Sequence, residues 1–391
     1  MIYWILNIAL LAGFSYLSFR LVKSTFNPWV FWIALGLKLT AGLILGLIFY
    51  EYYGTGDTIT FFEAAKSFNL ENLNGQPRTQ FFILILRPIV LITGGSYWLS
   101  SLWLSFISFV ASWYAVIMMI SLYPNLRAII SISFLFIPSV VFWSSGIMKD
   151  TIAFAALSII VSLLLVLYER FKIRTVQLLI LIIASYMLYQ IKHYLFITSL
   201  VFAGGLLASM LFKKIKNQWR WIITLSIFIA ALSATQFIHP YLEVDRIPWT
   251  LYENNSAILE KSDPEDRLNI VIENDSWSAV ISEIPTSLHA GLFRPSIFDQ
   301  TPVWGWVHRV ENLILTSLII MSILLYFKQK PKVDWVLFCS ALACILLLAI
   351  MLPLSTPNFG TLVRYKNAFM PFLFLISSIL PYQYLTSKTS D

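Results

Sequence analysis

The chain has 391 residues, of which 58% are hydrophobic, 16% aromatic and only 12% charged, with a mean hydropathy of +0.77. A water-facing surface needs about twice that charged fraction, so a soluble enzyme, a disordered chain and a nucleic-acid binder are excluded despite the formal charge of +7. Two cysteines, Cys339 and Cys344, share one apolar run, so a disulfide framework and a cysteine zinc site are excluded as well.

A helix crossing a bilayer needs roughly 20 mainly apolar residues. Runs of that kind fall at 2–22, 29–50, 97–122, 128–145, 150–168, 175–191, 194–212, 220–238, 308–327, 334–354 and 366–385. The sequence therefore predicts an all-α, polytopic bundle of about eleven transmembrane helices, a single transmembrane domain over 1–391. No small-residue cleavage site follows the first run, which reads as a retained span.

Short loops set the orientation through their cations. Arg20 and Lys23; Arg170, Lys172 and Arg174; Lys213, Lys214 and Lys216; Lys328, Lys330 and Lys332; and Lys388 all fall on one side if the N-terminus is outside and the C-terminus cytoplasmic. Two longer segments are then external. The first, 51–96, carries a shorter apolar stretch, Phe81–Thr93, interrupted by Arg87-Pro88, which suits an interfacial or re-entrant helix. The second, 239–304, holds eleven acidic residues against four basic ones and reads as an acidic lobe of short helices on the membrane face. Cations inside and anions outside account for the basic balance through topology alone.

Polar residues left at the external face are the informative ones, because burying them is costly. In Gly54-Thr55-Gly56-Asp57-Thr58 the glycines allow a sharp turn before an acid. Asp57 reads both as a helix N-cap and as a general base at the membrane surface; Glu63 is a second candidate carboxylate or a solvated helix position. The hairpin Ser145-Gly146-Ile147-Met148-Lys149-Asp150 puts a cation where the positive-inside tendency disfavours one. An anionic partner explains Lys149, while Asp150 also suits capping the next span. Lys192-His193 occupies the following outer hairpin, either as a snorkelling pair or as part of the same site. Arg294 ends the acidic lobe, and Arg364, Tyr365 and Lys366 open the last span. Together Lys149, Lys192, Arg294, Arg364 and Lys366 form a cation set that can converge opposite Asp57. Trp143, Trp304 and Trp306 fit the ordinary interfacial aromatic belt, or a platform for sugar or lipid.

Phosphate loops, dinucleotide fingerprints, nucleophile elbows and paired zinc histidines are all missing from the sequence. Within the spans the main ionisable residues are Lys38 and Glu311, fewer than ion-coupled transport normally uses.

This pattern resembles the GT-C class of membrane-embedded glycosyltransferases, which use polyprenyl-phosphate-linked sugars. The resemblance rests on Gly56-Asp57 in the first large external loop, the amphipathic segment after it, the Ser145–Asp150 hairpin and the late Arg364-Tyr365. It implies Asp57 as the catalytic carboxylate, to which the reading of the loop itself adds Glu63 as a second candidate. It also implies Lys149, Arg294 and Arg364 as positions that hold the lipid phosphate, with no metal and no cofactor; the outer-face reading adds Asp150, Lys192, His193 and Tyr365 as substrate-binding candidates. The implied partners are a polyprenyl-phosphate donor, a glycan, lipid or protein acceptor and membrane lipids, at the outer face of a bacterial inner membrane. Two departures stand out: one extra span precedes the acidic loop, and Asp57 is followed by Thr58 rather than by a second acid. Three alternatives fit the same layout: an O-antigen-type polymerase or ligase, a lipid or glycan flippase, and a non-catalytic subunit of an envelope complex.

Overall fold

A computed structural model describes residues 2–21, 28–68, 76–211, 243–299 and 305–388, with isolated positions between 219 and 233. Most of the expected span 220–238, and Trp304, lie outside the described residues. The described chain is helical, with no strand beyond one isolated antiparallel bridge between Arg267 and Asn358. Seven helices are long and apolar enough to cross a membrane, or eight if one bent pair forms a single span. The chain packs as two compact units, Met1–Phe196 and Ile197–Asp391.

The first unit opens with α1 (Ile2–Arg20) and α2 (Pro28–Gly46), the latter running on as a π-helical turn to Tyr52. Two short helices follow, α3 (Asp57–Ser67) and α4 (Pro77–Ile92), then the long α5 (Tyr97–Leu122). Next come α6 (Arg127–Leu135), α7 (Pro138–Trp143), α8 (Lys149–Arg170) and α9, helical from Thr175 to Leu211. The centre is α5, which packs against α8, α2, α4 and α1. Phe31, Phe109 and Trp113 fill the space between α2 and α5, with ring centroids 5.0 to 5.9 Å apart.

The structure redraws three sequence readings here. The run 128–145 is two short helices, α6 and α7, because Pro138 has no N–H to continue a helix and clashes with the preceding turn. The segment with Arg87-Pro88 is one continuous helix, α4, of sixteen residues, too short to span. Arg87 stabilises it by donating to the carbonyls of Ala65 (2.7 Å) and Lys66 (2.5 Å), which the end of α3 leaves without helical partners. The two stretches of α9 meet at Lys192, whose backbone alone leaves helical geometry (φ −141°, ψ 77°), with no connecting loop.

The junction between α7 and α8 is buried rather than displayed. Ser144 through Met148 are all inside the bundle, and hydroxyls satisfy their backbone. Ser105 accepts from the Gly146 N–H (2.9 Å), and Thr151 donates to the carbonyls of Ser145 and Gly146 (3.0 Å each). Ser101 binds the neighbouring Gly42 carbonyl at 2.9 Å. Gly146 has φ +70°, and a Cβ there would meet Leu45 and Ser101 at 3.2 and 3.3 Å, so glycine is required. Seryl residues one turn apart on α5 thus let polar, non-helical backbone enter a helical bundle.

The second unit carries the lobe helices α10 (Ile247–Lys261), α11 (Trp277–Ser282) and α12 (Ile284–Phe293). They are followed by α13 (Gly305–Gln329), α14 (Trp335–Ser355), α15 (Phe359–Lys366) and α16 (Met370–Lys388). The last two helices meet at a 63° bend. Asn255, fully buried, fastens the lobe to the end of α14: it donates to Leu354 O (2.8 Å) and Ile270 O (3.2 Å) and accepts from Ile272 N (3.3 Å). On α12, Gly291 faces the backbone of Ala349 on α14 with no room for a side chain.

Candidate functional site

The first unit gathers its polar side chains where α3, α4, α8 and the kink of α9 approach one another. The turn into α3 is made by Gly56 at φ +129°, a conformation that L side chains rarely adopt, with Phe49 only 3.2 Å from where a Cβ would be. Gly56 is therefore the N-cap, and Asp57 is the first helical residue, exposed, where the helix dipole favours a carboxylate. One residue on, buried Thr58 shares a 2.7 Å hydrogen bond with Tyr97 and anchors the helix to α5. Glu63 is also exposed, but six residues at about 100° each set it about 240° round the helix from Asp57. The two carboxylates do not form a pair.

Lys149, the first residue of α8, is half-buried. Its ammonium donates to Thr79 Oγ1 at 2.7 Å and lies 4.9 Å from the centroid of the Phe61 ring, one helical turn beyond Asp57 on α3. Asp150, the next residue, pairs with Lys192, both buried. Beside Lys192, His193 Nε2 is 3.4 Å from the guanidinium of Arg78, which precedes Thr79 on α4. Of the three cations Arg78, Lys149 and Lys192, Lys192 is paired with the buried Asp150, while Lys149 meets Thr79 and Arg78 meets His193. Beneath them, Lys38 of α2 reaches Ser144 at the α7–α8 junction, with its ammonium 5.4 Å from the Phe154 ring centroid.

The sequence pattern does not single out Arg78 and Thr79, although Arg78 lies in the same expected external segment, 51–96, as Asp57. The partner of Lys38 is equally illegible there, because a buried seryl hydroxyl leaves no pattern.

The other candidates, Arg294, Arg364 and Tyr365, belong to the second unit. Arg294 is committed to Asp299: Nε lies 3.1 and 3.2 Å from the two carboxylate oxygens and a terminal nitrogen 2.5 Å from Oδ1. Its guanidinium also sits 4.7 Å from the Phe359 ring centroid. Burial alone would raise the Asp299 carboxyl, but hydrogen bonds from Arg294 and from the Ser296 N–H, with the guanidinium charge, hold it below the usual carboxylate range. Lys366 is buried and donates to Leu292 O (3.3 Å), Arg294 O (3.0 Å) and Asn312 Oδ1 (3.1 Å). Those contacts close the C-terminal end of α12, so Lys366 has a structural task. Arg364 and Tyr365 are half-buried on α15. On α13, His308 Nδ1 is 3.6 Å from Glu311 and Arg309 lies 4.8 Å from the Trp306 ring centroid. Among the described residues, no three His, Cys, Asp or Glu side chains are grouped to hold a metal.

No family model, curated protein or solved structure matches this chain.

Proposed function

We propose that this protein is a polytopic membrane glycosyltransferase that moves a sugar from a polyprenyl-phosphate-linked donor to an acceptor hydroxyl at the outer face of a bacterial inner membrane. In this reading about eleven spans cross the bilayer, with the N-terminus outside and the C-terminus cytoplasmic. The observation that carries it is a juxtaposition in the first unit: Lys149 lies against the ring of Phe61, one helical turn along α3 from the exposed Asp57, and donates to Thr79, the neighbour of Arg78 on α4.

Each group has a chemical task. Asp57 accepts the proton of the acceptor hydroxyl as its oxygen bonds to the anomeric carbon, and the bond from that carbon to the phosphate oxygen breaks with inversion. The phosphate departs with the electron pair and an added negative charge. Lys149, which now donates to a neutral threonyl oxygen, exchanges that partner for a phosphate oxygen, and Arg78 supplies a planar donor pair. Lys192 and Asp150 neutralise each other and hold the first turn of α8 in place, a positioning role rather than one in contact with donor.

The test is transfer of labelled sugar from a polyprenyl-phosphate donor by the protein reconstituted in proteoliposomes. Asp57→Asn should lower transfer by about 10²-fold or more while the protein expresses and stays folded. Full activity in that variant removes the proposed base. Donor translocation across the bilayer with no new glycosidic bond would replace the enzyme by a flippase.

A further inference from the structure

At the far end of α8 from Lys149, about 33 Å along a 22-residue helix, lies a cavity of about 460 Å³. Arg170 from the last turn of α8 and Lys172 and Arg174 from the link to α9 line its rim. Ser121 and Gln177 add polar atoms, while Met118 and Val166, one turn deeper on α5 and α8, form an apolar wall. The rim is preorganised. Arg170 is held by Ser121, donating to its carbonyl (3.0 Å) and hydroxyl (2.9 Å), and the Gln177 amide oxygen accepts from the Arg174 N–H at 3.1 Å. Glu169, the acid next to Arg170 in sequence, accepts from Tyr123 at 2.6 Å and does not line the cavity. Three exposed cations therefore face a hollow that, among the described residues, no carboxylate lines, at the level where three apolar helices end.

We infer that this cavity is a binding site for a phosphodiester anion, the headgroup of an acidic membrane phospholipid. Orientation by loop cations needs only their charge near the membrane and makes no use of a cavity. Here the cations line one, and its apolar side, Met118 and Val166, lies one turn further along α5 and α8, on the side where the first carbons of an acyl chain would run. Basic pockets between helices at a membrane surface hold lipid phosphates by this combination. The guanidinium groups supply several N–H donors each, beyond those that Arg170 uses on Ser121.

The test is lipid retention by the purified full-length protein in detergent, read by native mass spectrometry during titration with phosphatidylglycerol and, separately, with phosphatidylcholine. Phosphatidylglycerol should be retained preferentially. Lys172→Gln with Arg174→Gln should weaken that retention by about fivefold per cation removed, whereas the equal charge loss in Lys330→Gln with Lys332→Gln should not. Met118→Trp fills the hollow without altering charge and should also release the lipid. Displacement of the lipid by millimolar inorganic phosphate would assign the site to the phosphate group itself. Failure of inorganic phosphate to compete would assign it to the intact lipid, and both outcomes uphold the anion site. Equal retention of the two lipids, or an unaltered preference in both the double variant and Met118→Trp, overturns the proposal.

Discussion

Lys192, at the one non-helical position in α9, donates to Asp150 in the first turn of α8, and both side chains are buried. A kink removes helical hydrogen bonds and would expose backbone inside the bundle. The ion pair fixes that break against a second helix and holds the neighbouring Lys149 and His193 in place. Removing one partner leaves an uncompensated buried charge, which typically costs about 3–5 kcal/mol, whereas replacing both by apolar groups is close to neutral. Lys192→Met and Asp150→Leu should each lower the unfolding temperature in detergent strongly, and the double variant should recover most of the loss. Simple additivity of the two losses would mean that the side chains do not act as a pair.

Donor recognition should divide between cations. Lys149→Ala and Arg78→Ala each remove a charge-assisted contact worth about 1.5–3 kcal/mol, so the KM for a polyprenyl-phosphate donor should rise at least about tenfold. Lys66→Ala, exposed on the last turn of α3, should leave it unchanged. Unaltered KM in both of the first two variants would remove the phosphate role.

Arg294 and Asp299 predict a pH effect in the lobe. The Asp299 carboxyl is held below its ordinary range, so its contribution to stability is complete above about pH 4 and is lost as pH falls through the depressed value. Asp266 and Glu283 act with the opposite sign. Burial raises both, reinforced by Asp263 and Glu265 around the first and Glu273 beside the second, so their contribution is greatest in acid and lost as pH rises. Limited proteolysis between the lobe helices, followed from pH 7 to pH 3, should show cleavage near 294–299 rising at the acid end. Asp299→Asn should show the same cleavage already at pH 7.

Helix packing in the second unit rests on one missing side chain. A Cβ on Gly291 would fall on the Ala349 carbonyl, so Gly291→Ala forces α12 and α14 apart at a cost of about 1–3 kcal/mol. Gly13→Ala, with nothing within 4 Å in the middle of α1, should be neutral or stabilising by up to about 1 kcal/mol. Thermal unfolding of the two variants side by side distinguishes a packing requirement from a general intolerance of alanine.

The candidate site was legible where a residue broke an expectation. Lys149 stood out because an external cation runs against the charge asymmetry of the loops, and Asp57 because glycines precede it. Arg78 escaped because the segment around it reads as an ordinary polar loop, and only folding brings it beside His193 at the kink of α9. Arg294 and Lys366 looked like members of an anion site. Their actual partners, Asp299 and the carbonyls at the end of α12, are fixed by chain folding that no local pattern reveals.

Composition and apolar run length by themselves determined that this chain is a helical membrane protein, because a bilayer admits few ways to satisfy backbone hydrogen bonds and helices of fixed length are one of them. Pro138 and Lys192 show what lay beyond that reach. Whether a polar break becomes an exposed loop, a buried junction or a kink depends on which hydroxyl or carboxylate lies across from it. Ser101 and Ser105 decide it for Gly42 and Gly146, and Asp150 decides it for Lys192. Those are contacts between residues tens of positions apart, and only the tertiary structure brings them within hydrogen-bonding distance.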